Sequence, residues 1–189
     1  EEDIAALYKK LDAVSEGDTL VLAGSVPGTM PQNIYERILS RLDGRGVRFV
    51  VDATGELLTG ALKYRPFLIK PNRAELEEIC GRRLETDEAV AAAARELKQK
   101  GAVNVLVSLG ADGALLVDEF DRVHRRQAIP GKAVNTVGSG DSMVAGFLVG
   151  AGRSYEYAMD LGSAAGSATA FSDGLAAKED IMALCLNKQ

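Results

Sequence analysis

The residues best suited to carry out chemistry lie in the segment 135–147, which reads NTVGSGDSMVAGF. In it Gly138 and Gly140 flank Ser139, and Asp141 follows directly, where a stretch of small and apolar residues predicts a helix. Glycine allows a backbone to approach a ligand closely, and the first turn of a helix leaves about four amide N–H groups without an intrahelical partner. The segment therefore predicts an anion site formed by the amides of Gly138, Ser139 and Gly140, with a carboxylate at its edge.

A phosphate held by backbone amides beside a carboxylate is an arrangement suited to phosphoryl transfer onto a hydroxyl group. Asp141 would orient the hydroxyl and take its proton, while the amides would hold the charge that develops on the phosphoryl group. A simpler interpretation is a helix cap, the usual role of Asp or Ser at a helix start. These residues by themselves leave both interpretations open.

Two further segments combine residue types that can bind a nucleotide or a metal ion. Asn72 and Glu75 stand three residues apart at a predicted helix start. Their oxygen atoms suit Mg²⁺ held through water molecules, and the same spacing suits a capping box. The segment 108–113, SLGADG, is either a hairpin turn or a glycine loop that follows phosphates.

Composition limits the class of protein. The chain has 189 residues, 47% of them apolar and 26% charged, which predicts a single globular domain over 1–189. A net charge of −5 argues against general nucleic-acid binding. No apolar run approaches the 18 residues of a membrane span, and the two cysteines lack metal-ligand spacing. We therefore expect a cytoplasmic protein that binds neither nucleic acid nor membrane.

Predicted strands and helices alternate along most of the chain, which indicates a mostly parallel sheet with helices on both faces. The ligand loops of such sheets lie at the carboxyl ends of the strands, so we expect the segments above to converge on one cleft. The strand at 19–23 is predicted to be fully buried. His124, the only histidine, falls in a basic segment that predicts a solvated edge strand. The predicted strands are 19–23, 47–51, 66–70, 104–109, 114–117 (an antiparallel hairpin partner) and 121–127.

The run Asn-Thr-Val-Gly-Ser-Gly-Asp-Ser-x-x-Ala-Gly that begins at Asn135 resembles the second signature of the PfkB (ribokinase-like) sugar kinases. Lys70-Pro71-Asn72 followed by Glu75 resembles their Lys-Pro-Asn-x-x-Glu segment. The resemblance implies a ribokinase-like three-layer α/β/α fold. Nothing in the chain matches the family's Gly-Gly-x-x-Asn-type signature, so the N-terminal strands and the β-lid are expected to be absent.

The resemblance also implies roles for individual residues, with ATP and Mg²⁺ as cofactors. Asp141 would be the catalytic base and Gly138, Ser139 and Gly140 the anion hole. Asn72 and Glu75 would help to hold Mg²⁺, and Gly24 and Ser25 would lie on the substrate side. The residues expected along the nucleotide are Lys70, Asn72, Ser108, Gly110, Gly113 and Gly174.

The activity implied by the resemblance is ATP-dependent phosphorylation of a hydroxyl group on a sugar phosphate. Fructose 1-phosphate, giving fructose 1,6-bisphosphate, is the first expectation, and tagatose 6-phosphate or another sugar is the alternative. The partner would be a small molecule, with a homodimer possible for the full-length protein. A catalytically weak nucleotide-binding fragment or scaffold stays open as a hypothesis of another class.

Overall fold

A computed structural model of the chain describes residues 2–186 and arranges all the strands found there in one six-stranded sheet. The order in space is the same as the order along the chain. The first four strands are parallel, and the last two run antiparallel to their neighbours. The strands are β1 (Thr19–Ala23), β2 (Arg48–Asp52), β3 (Leu68–Ile69), β4 (Asn104–Ser108), β5 (Ala114–Val117) and β6 (Val123–Arg126).

Eight α-helices of the described chain precede, connect and follow these strands. Their ends agree with local sequence signals: Thr86 caps α5 by accepting a hydrogen bond from the Ala89 amide, and Ser154 caps α7 through the Tyr157 amide. The helices are α1 (Glu2–Leu11), α2 (Ile34–Leu42), α3 (Gly55–Ala61), α4 (Arg73–Cys80), α5 (Asp87–Gln99), α6 (Ser139–Ala151), α7 (Tyr155–Ala170) and α8 (Lys178–Leu186). None of these helices is long and apolar enough to cross a membrane.

The sheet lies between two hydrophobic clusters, because successive side chains of a strand point to opposite faces. Val51 and Ile69 belong to the cluster that contains α2 and α5, whereas Val50 and Leu68 pack on the other face with Phe147 of α6. Both faces of the central strands are buried, as expected for a parallel sheet covered by helices. The predicted three-layer α/β/α fold is therefore confirmed.

Strand β1 departs from the prediction that it is fully buried. Only Leu22 is buried in it, and the Val21 side chain is 42% exposed although its neighbour Val50 is fully buried. The physical reason is position. β1 is an edge strand of the sheet, and no strand of residues 2–186 pairs with its outer edge.

His124 lies in the other edge strand, β6, but the prediction that it is solvated is wrong. Its side chain is buried beneath α7, with Nε2 2.9 Å from Asp118 Oδ2 and Nδ1 3.4 Å from Glu156 Oε1. The Asp118 carboxylate is fully buried and also accepts bonds from the Arg122 guanidinium and from the amides of Phe120 and Arg122. Hydrogen bonding to buried carboxylate oxygens thus outweighs the polar character of the segment.

The Asp118 cluster yields a prediction about stability. Burial by itself raises the pKa of Asp118, but hydrogen bonds from His124, Arg122 and two backbone amides outweigh burial and hold the pKa below its usual value of 3.8. Asp118→Asn weakens these charge-assisted bonds, so we expect a loss of about 2–3 kcal/mol in the free energy of unfolding at pH 7. Urea unfolding measures this loss.

The pH dependence of the stability loss in Asp118→Asn shows whether the loss is electrostatic. A carboxylate whose pKa is lowered by folding stabilises the protein above its ordinary pKa, and this contribution disappears as the pH falls through the folded value. The difference between the wild type and Asp118→Asn should therefore shrink below about pH 4. Asp43→Asn, an exposed change at the end of α2, should leave the pH profile unchanged. A difference at Asp118 that is constant from pH 3 to pH 7 would contradict the electrostatic explanation.

Candidate active site

The N-terminus of α6 lies where the loops from several strand ends meet. Gly138 precedes the helix with φ = 81°, a left-handed conformation that favours glycine. A Cβ on Gly138 would lie 2.9 Å from Leu175 Cδ2, and a Cβ on Gly140 would lie 3.1 Å from Lys70 Nζ. The two glycines therefore permit both the turn and the close approach of neighbouring side chains.

The amides of this first turn are not equally available. The Ser139 N–H donates to the Thr136 carbonyl at 3.2 Å, and the Ser139 hydroxyl donates to the same oxygen. No acceptor within residues 2–186 takes the N–H of Gly138 or Gly140. Of the three amides predicted to form an anion site, those of Gly138 and Gly140 are thus the ones left for a ligand, and Ser139 holds the turn in shape.

One cavity opens beside the carboxylate of Asp141, the third residue of α6. This Asp141 cavity has a volume of about 360 Å³. Gly24 and Ser25, the two residues predicted on the substrate side, line it after β1. Its charged lining consists of Asp141 and Asp52, both acidic.

A second cavity of about 490 Å³, the Gly110 cavity, lies on the other side of the α6 N-terminus. Asn72 borders it, together with four residues of the glycine loop 108–113, namely Ser108, Gly110, Ala111 and Gly113. Gly140 lines both cavities, so they meet at this residue. The expected single cleft is a pair of adjoining cavities, and Lys70, Glu75, Gly138 and Gly174 border neither of them.

Beneath Gly140 lies an ion pair between Lys70, at the end of β3, and Asp52, at the end of β2. Lys70 is only 7% exposed, and its Nζ is 3.2 Å from Asp52 Oδ1. Burial raises the pKa of Asp52 above its usual value; the negative charges of Asp141 and Glu75 act in the same direction, and Lys70 opposes them. Three carboxylates and one buried cation therefore share one electrostatic environment under the α6 N-terminus.

Asn72 and Glu75 form a complete capping box at the start of α4. The Glu75 amide donates to Asn72 Oδ1 at 2.9 Å, and the Asn72 amide donates to Glu75 Oε2 at 2.8 Å. The next residue, Arg73, pairs with Asp112 of the glycine loop at 2.9 Å. The capping interpretation of this motif thus holds in the structure, and a metal role for the same residues stays a prediction.

Asp52 is a site residue that the sequence reasoning missed. It directly follows the predicted strand 47–51 and is absent from the residues for which the sequence predicts a role. The signal that could have found it is a single acidic residue that directly follows the buried run Phe49–Val51 in a parallel strand. Such a position lies at the edge of the sheet where ligand loops meet.

A parallel α/β sheet with cavities at its carboxyl edge and an amide-lined helix start is typical of nucleotide-binding α/β proteins. Comparison with known families is more specific. Residues 1–182 match the model of the pfkB family carbohydrate kinases, and the chain belongs to this family.

Individual kinases that are similar to the chain support the assignment to this family. The chain is 40% identical to 1-phosphofructokinase of Bacillus subtilis (strain 168) over 186 aligned residues. These aligned residues cover 97% of this chain and 61% of that protein. It is 37% identical over 172 residues to D-tagatose-1-phosphate kinase of Bacillus licheniformis, and the aligned residues cover 89% of this chain and 56% of that protein. The structure of phosphofructokinase-2 from Escherichia coli in complex with substrates and products superposes on this chain with a TM-score of 0.92 at 32% sequence identity. The superposition covers 99% of this chain and 62% of that chain. The chain thus spans about three fifths of the length of these relatives.

The buried ion pair generates a second prediction. Lys70→Met removes the cation and leaves Asp52 buried without its partner, so we expect a loss of about 3–5 kcal/mol in the free energy of unfolding at pH 7. The loss should become smaller at low pH. An acid whose pKa is raised by folding opposes folding while it is ionised and ceases to do so once it is protonated. Urea unfolding from pH 4 to pH 8 measures both effects.

Lys63→Met is the matched control, because Lys63 forms an exposed ion pair with Glu36. Exposed pairs contribute little, so this control should lose less than about 1 kcal/mol at any pH. Equal losses in the two variants would show that burial of the Lys70–Asp52 pair is unimportant for stability.

Proposed function

We propose that this chain carries the phosphoryl-transfer part of an ATP-dependent kinase acting on a sugar phosphate, with fructose 1-phosphate converted to fructose 1,6-bisphosphate. The single observation that supports this most strongly is the position of Gly140. It borders both cavities at the start of α6, with the Asp141 carboxylate on one side and the glycine loop on the other. A donor and an acceptor placed in the two cavities would meet at this helix terminus.

In the proposed reaction, the acceptor hydroxyl lies in the Asp141 cavity and the γ-phosphate of ATP lies at the α6 N-terminus. The hydroxyl oxygen attacks the γ-phosphorus, the bond from the γ-phosphorus to the β–γ bridging oxygen breaks, and ADP leaves. Asp141 receives the hydroxyl proton. The amides of Gly138 and Gly140 stabilise the negative charge on the transferred group. Positioning by fixed backbone groups carries most of the catalysis in such a reaction.

Mg²⁺ fits the donor set on this side of the sheet. Glu75 uses Oε2 in the capping box, and Oε1 accepts no hydrogen bond within residues 2–186. No cluster of three or more metal-type side chains occurs in those residues, which favours a hydrated ion held by Asn72, Glu75 and nucleotide phosphates. When bound, the ion would neutralise phosphate charge and offset the repulsion among Asp52, Glu75 and Asp141, which adds to the effect of burial in raising the pKa of Asp52.

A tagatose phosphate is the alternative acceptor, and the 37% identity with D-tagatose-1-phosphate kinase of Bacillus licheniformis supports it. Fructose 1-phosphate takes precedence because the identity with the Bacillus subtilis 1-phosphofructokinase is higher, at 40%. For the whole protein we propose a cytoplasmic homodimer. Cys80 and Cys185 form no disulfide bond in the described residues, which suits a reducing compartment, and the unpaired outer edge of β1 offers a contact surface.

The role of Asp141 is tested by Asp141→Asn, which keeps the shape of the side chain and removes its basicity. We expect kcat for the kinase reaction to fall by about 10²–10⁴-fold, because a general base contributes that much, with little change in ATP affinity. The measurement is a coupled ADP-release assay, together with calorimetry of ATP binding. It is best made in the full-length protein if the 189-residue chain has no measurable sugar turnover. Asp43→Asn, remote at the end of α2, is the control. A variant that keeps its kcat would rule out Asp141 as the base.

The 189-residue chain itself should bind ATP. Its turnover of a sugar phosphate, in contrast, should be low. The Asp141 cavity has two carboxylates and no basic side chain in its lining, so it offers nothing to attract the substrate's own phosphate. Calorimetry with Mg²⁺-ATP, beside coupled assays with fructose 1-phosphate and tagatose 6-phosphate, measures the two properties separately. Full sugar turnover by this chain would contradict the prediction, and absence of ATP binding would contradict the proposed function.

A further inference from the structure

The loop that follows β1 forms one wall of the Asp141 cavity, and the sheet does little to hold it. Gly24, Ser25 and Val26 all border the cavity. No backbone–backbone hydrogen bond within residues 2–186 involves any of these three residues. Gly24 has φ = 84°, in the left-handed region that favours glycine, so the chain turns sharply as it leaves the strand. The shape of this wall therefore depends on contacts from outside the sheet.

Tyr35 of α2 makes such a contact. Its side chain is buried, and its hydroxyl oxygen lies 2.8 Å from the Ala23 carbonyl oxygen and 3.1 Å from the Gly24 carbonyl oxygen. The hydroxyl group has one hydrogen, so two consecutive carbonyl groups share its donation. One of them ends β1 and the other begins the loop. Tyr35 thus joins the wall to α2 at the point where the chain leaves the sheet.

The surroundings of the Tyr35 hydroxyl group keep it a donor. Burial raises the pKa of Tyr35 above its usual value of 10.0, and the negative charge of Asp52 acts in the same direction. The hydroxyl group is therefore protonated at neutral pH, as donation to a carbonyl oxygen requires. Asp52 borders the Asp141 cavity, whereas Tyr35 does not. Tyr35 can therefore act on a molecule in this cavity only through the residues that form the wall.

The ring and the hydroxyl group of Tyr35 contribute to different properties. The ring belongs to the hydrophobic cluster that contains α2 and α5, so it stabilises the fold. The hydroxyl group contacts only the start of the loop. Neither Tyr35 nor its two acceptors border the Gly110 cavity. Removal of the hydroxyl group alone should therefore affect the Asp141 cavity and leave the Gly110 cavity unchanged.

We propose that Tyr35 is a positioning residue for the sugar-phosphate acceptor, and that its hydroxyl group holds the loop so that Ser25 contacts the acceptor. The inference rests on the proposed function, because it assumes that the acceptor lies in the Asp141 cavity. Without the bond the loop has more conformations, and the acceptor must select the one that fits. Acceptor binding is weakened as a result, whereas nucleotide binding is not.

Tyr35→Phe tests this directly, since it removes one oxygen and retains the ring. Steady-state kinetics of the full-length protein are measured with Mg²⁺-ATP and fructose 1-phosphate. We expect KM for fructose 1-phosphate to rise about three- to tenfold, the size of one neutral hydrogen bond. KM for ATP should stay unchanged, and kcat should change less than KM for the acceptor, because the lost contribution is to binding.

Tyr155→Phe is the matched control. Tyr155 is also a buried tyrosine, and its hydroxyl group donates to Glu119 Oε1 at 2.7 Å. Neither Tyr155 nor Glu119 borders either cavity. Urea unfolding should show a similar loss of stability in the two variants, whereas only Tyr35→Phe should raise KM for the acceptor. An equal rise in both variants would show a general effect of stability and would overturn the inference.

A double-mutant cycle with Ser25→Ala tests whether Tyr35 acts through the loop. When the Ser25 hydroxyl group is already absent, Tyr35→Phe should raise the acceptor KM by a smaller factor than in the wild type. Equal factors in the two backgrounds, or an unchanged acceptor KM in Tyr35→Phe, would overturn the inference and leave the proposed function intact. A full-length wild type that phosphorylates neither fructose 1-phosphate nor tagatose 6-phosphate would overturn both.

Discussion

The close contact between α6 and α7 is the constraint on which the site depends. A Cβ on Gly146 would lie 2.7 Å from the Leu161 carbonyl oxygen, and one on Gly150 would lie 2.5 Å from Ala158 Cα. The two helices can lie this close only because glycine has no side chain at the points of contact. Near the α6 N-terminus, the Thr169 hydroxyl donates to the Ser142 hydroxyl at 2.8 Å. The packing thereby fixes where the first turn of α6, with Gly140 and Asp141, meets the sheet.

The charges under that turn are arranged so that each depends on the others. Lys70 and Asp52 come from adjacent parallel strands, and both are largely buried. Their pairing places a positive charge just behind Gly140, in addition to the partial positive charge of the helix start. Asp141 and Glu75 lie close enough to help raise the pKa of Asp52. A region with several carboxylates and an anion-attracting backbone suits a phosphate together with its cation better than either alone.

Local patterns were sufficient to predict the layers of the fold and most of the loops around the site. The run from Asn135, the Asn72–Glu75 spacing and the alternating strands all depend on neighbours along the chain. The failures depend on contacts between distant segments. His124 is buried because α7 covers β6 and Asp118 receives its bonds, and neither fact is present in a basic pentapeptide. Side chains of β1 are partly exposed although its sequence is apolar, because β1 lies at the edge of the sheet and burial depends on the order of the strands. The Lys70–Asp52 pair joins two strands and was missed for the same reason.

In the proposed arrangement, a nucleotide lies across the α6 N-terminus with its γ-phosphate at Gly140. A crystal structure of the chain with a non-hydrolysable ATP analogue and Mg²⁺ determines where the nucleotide binds. We expect phosphate oxygens within hydrogen-bond distance of the Gly138 or Gly140 amide, and the base in the Gly110 cavity between α7 and the strand end at Gln127. An analogue bound elsewhere, or one with its phosphates directed away from Asp141, would contradict it.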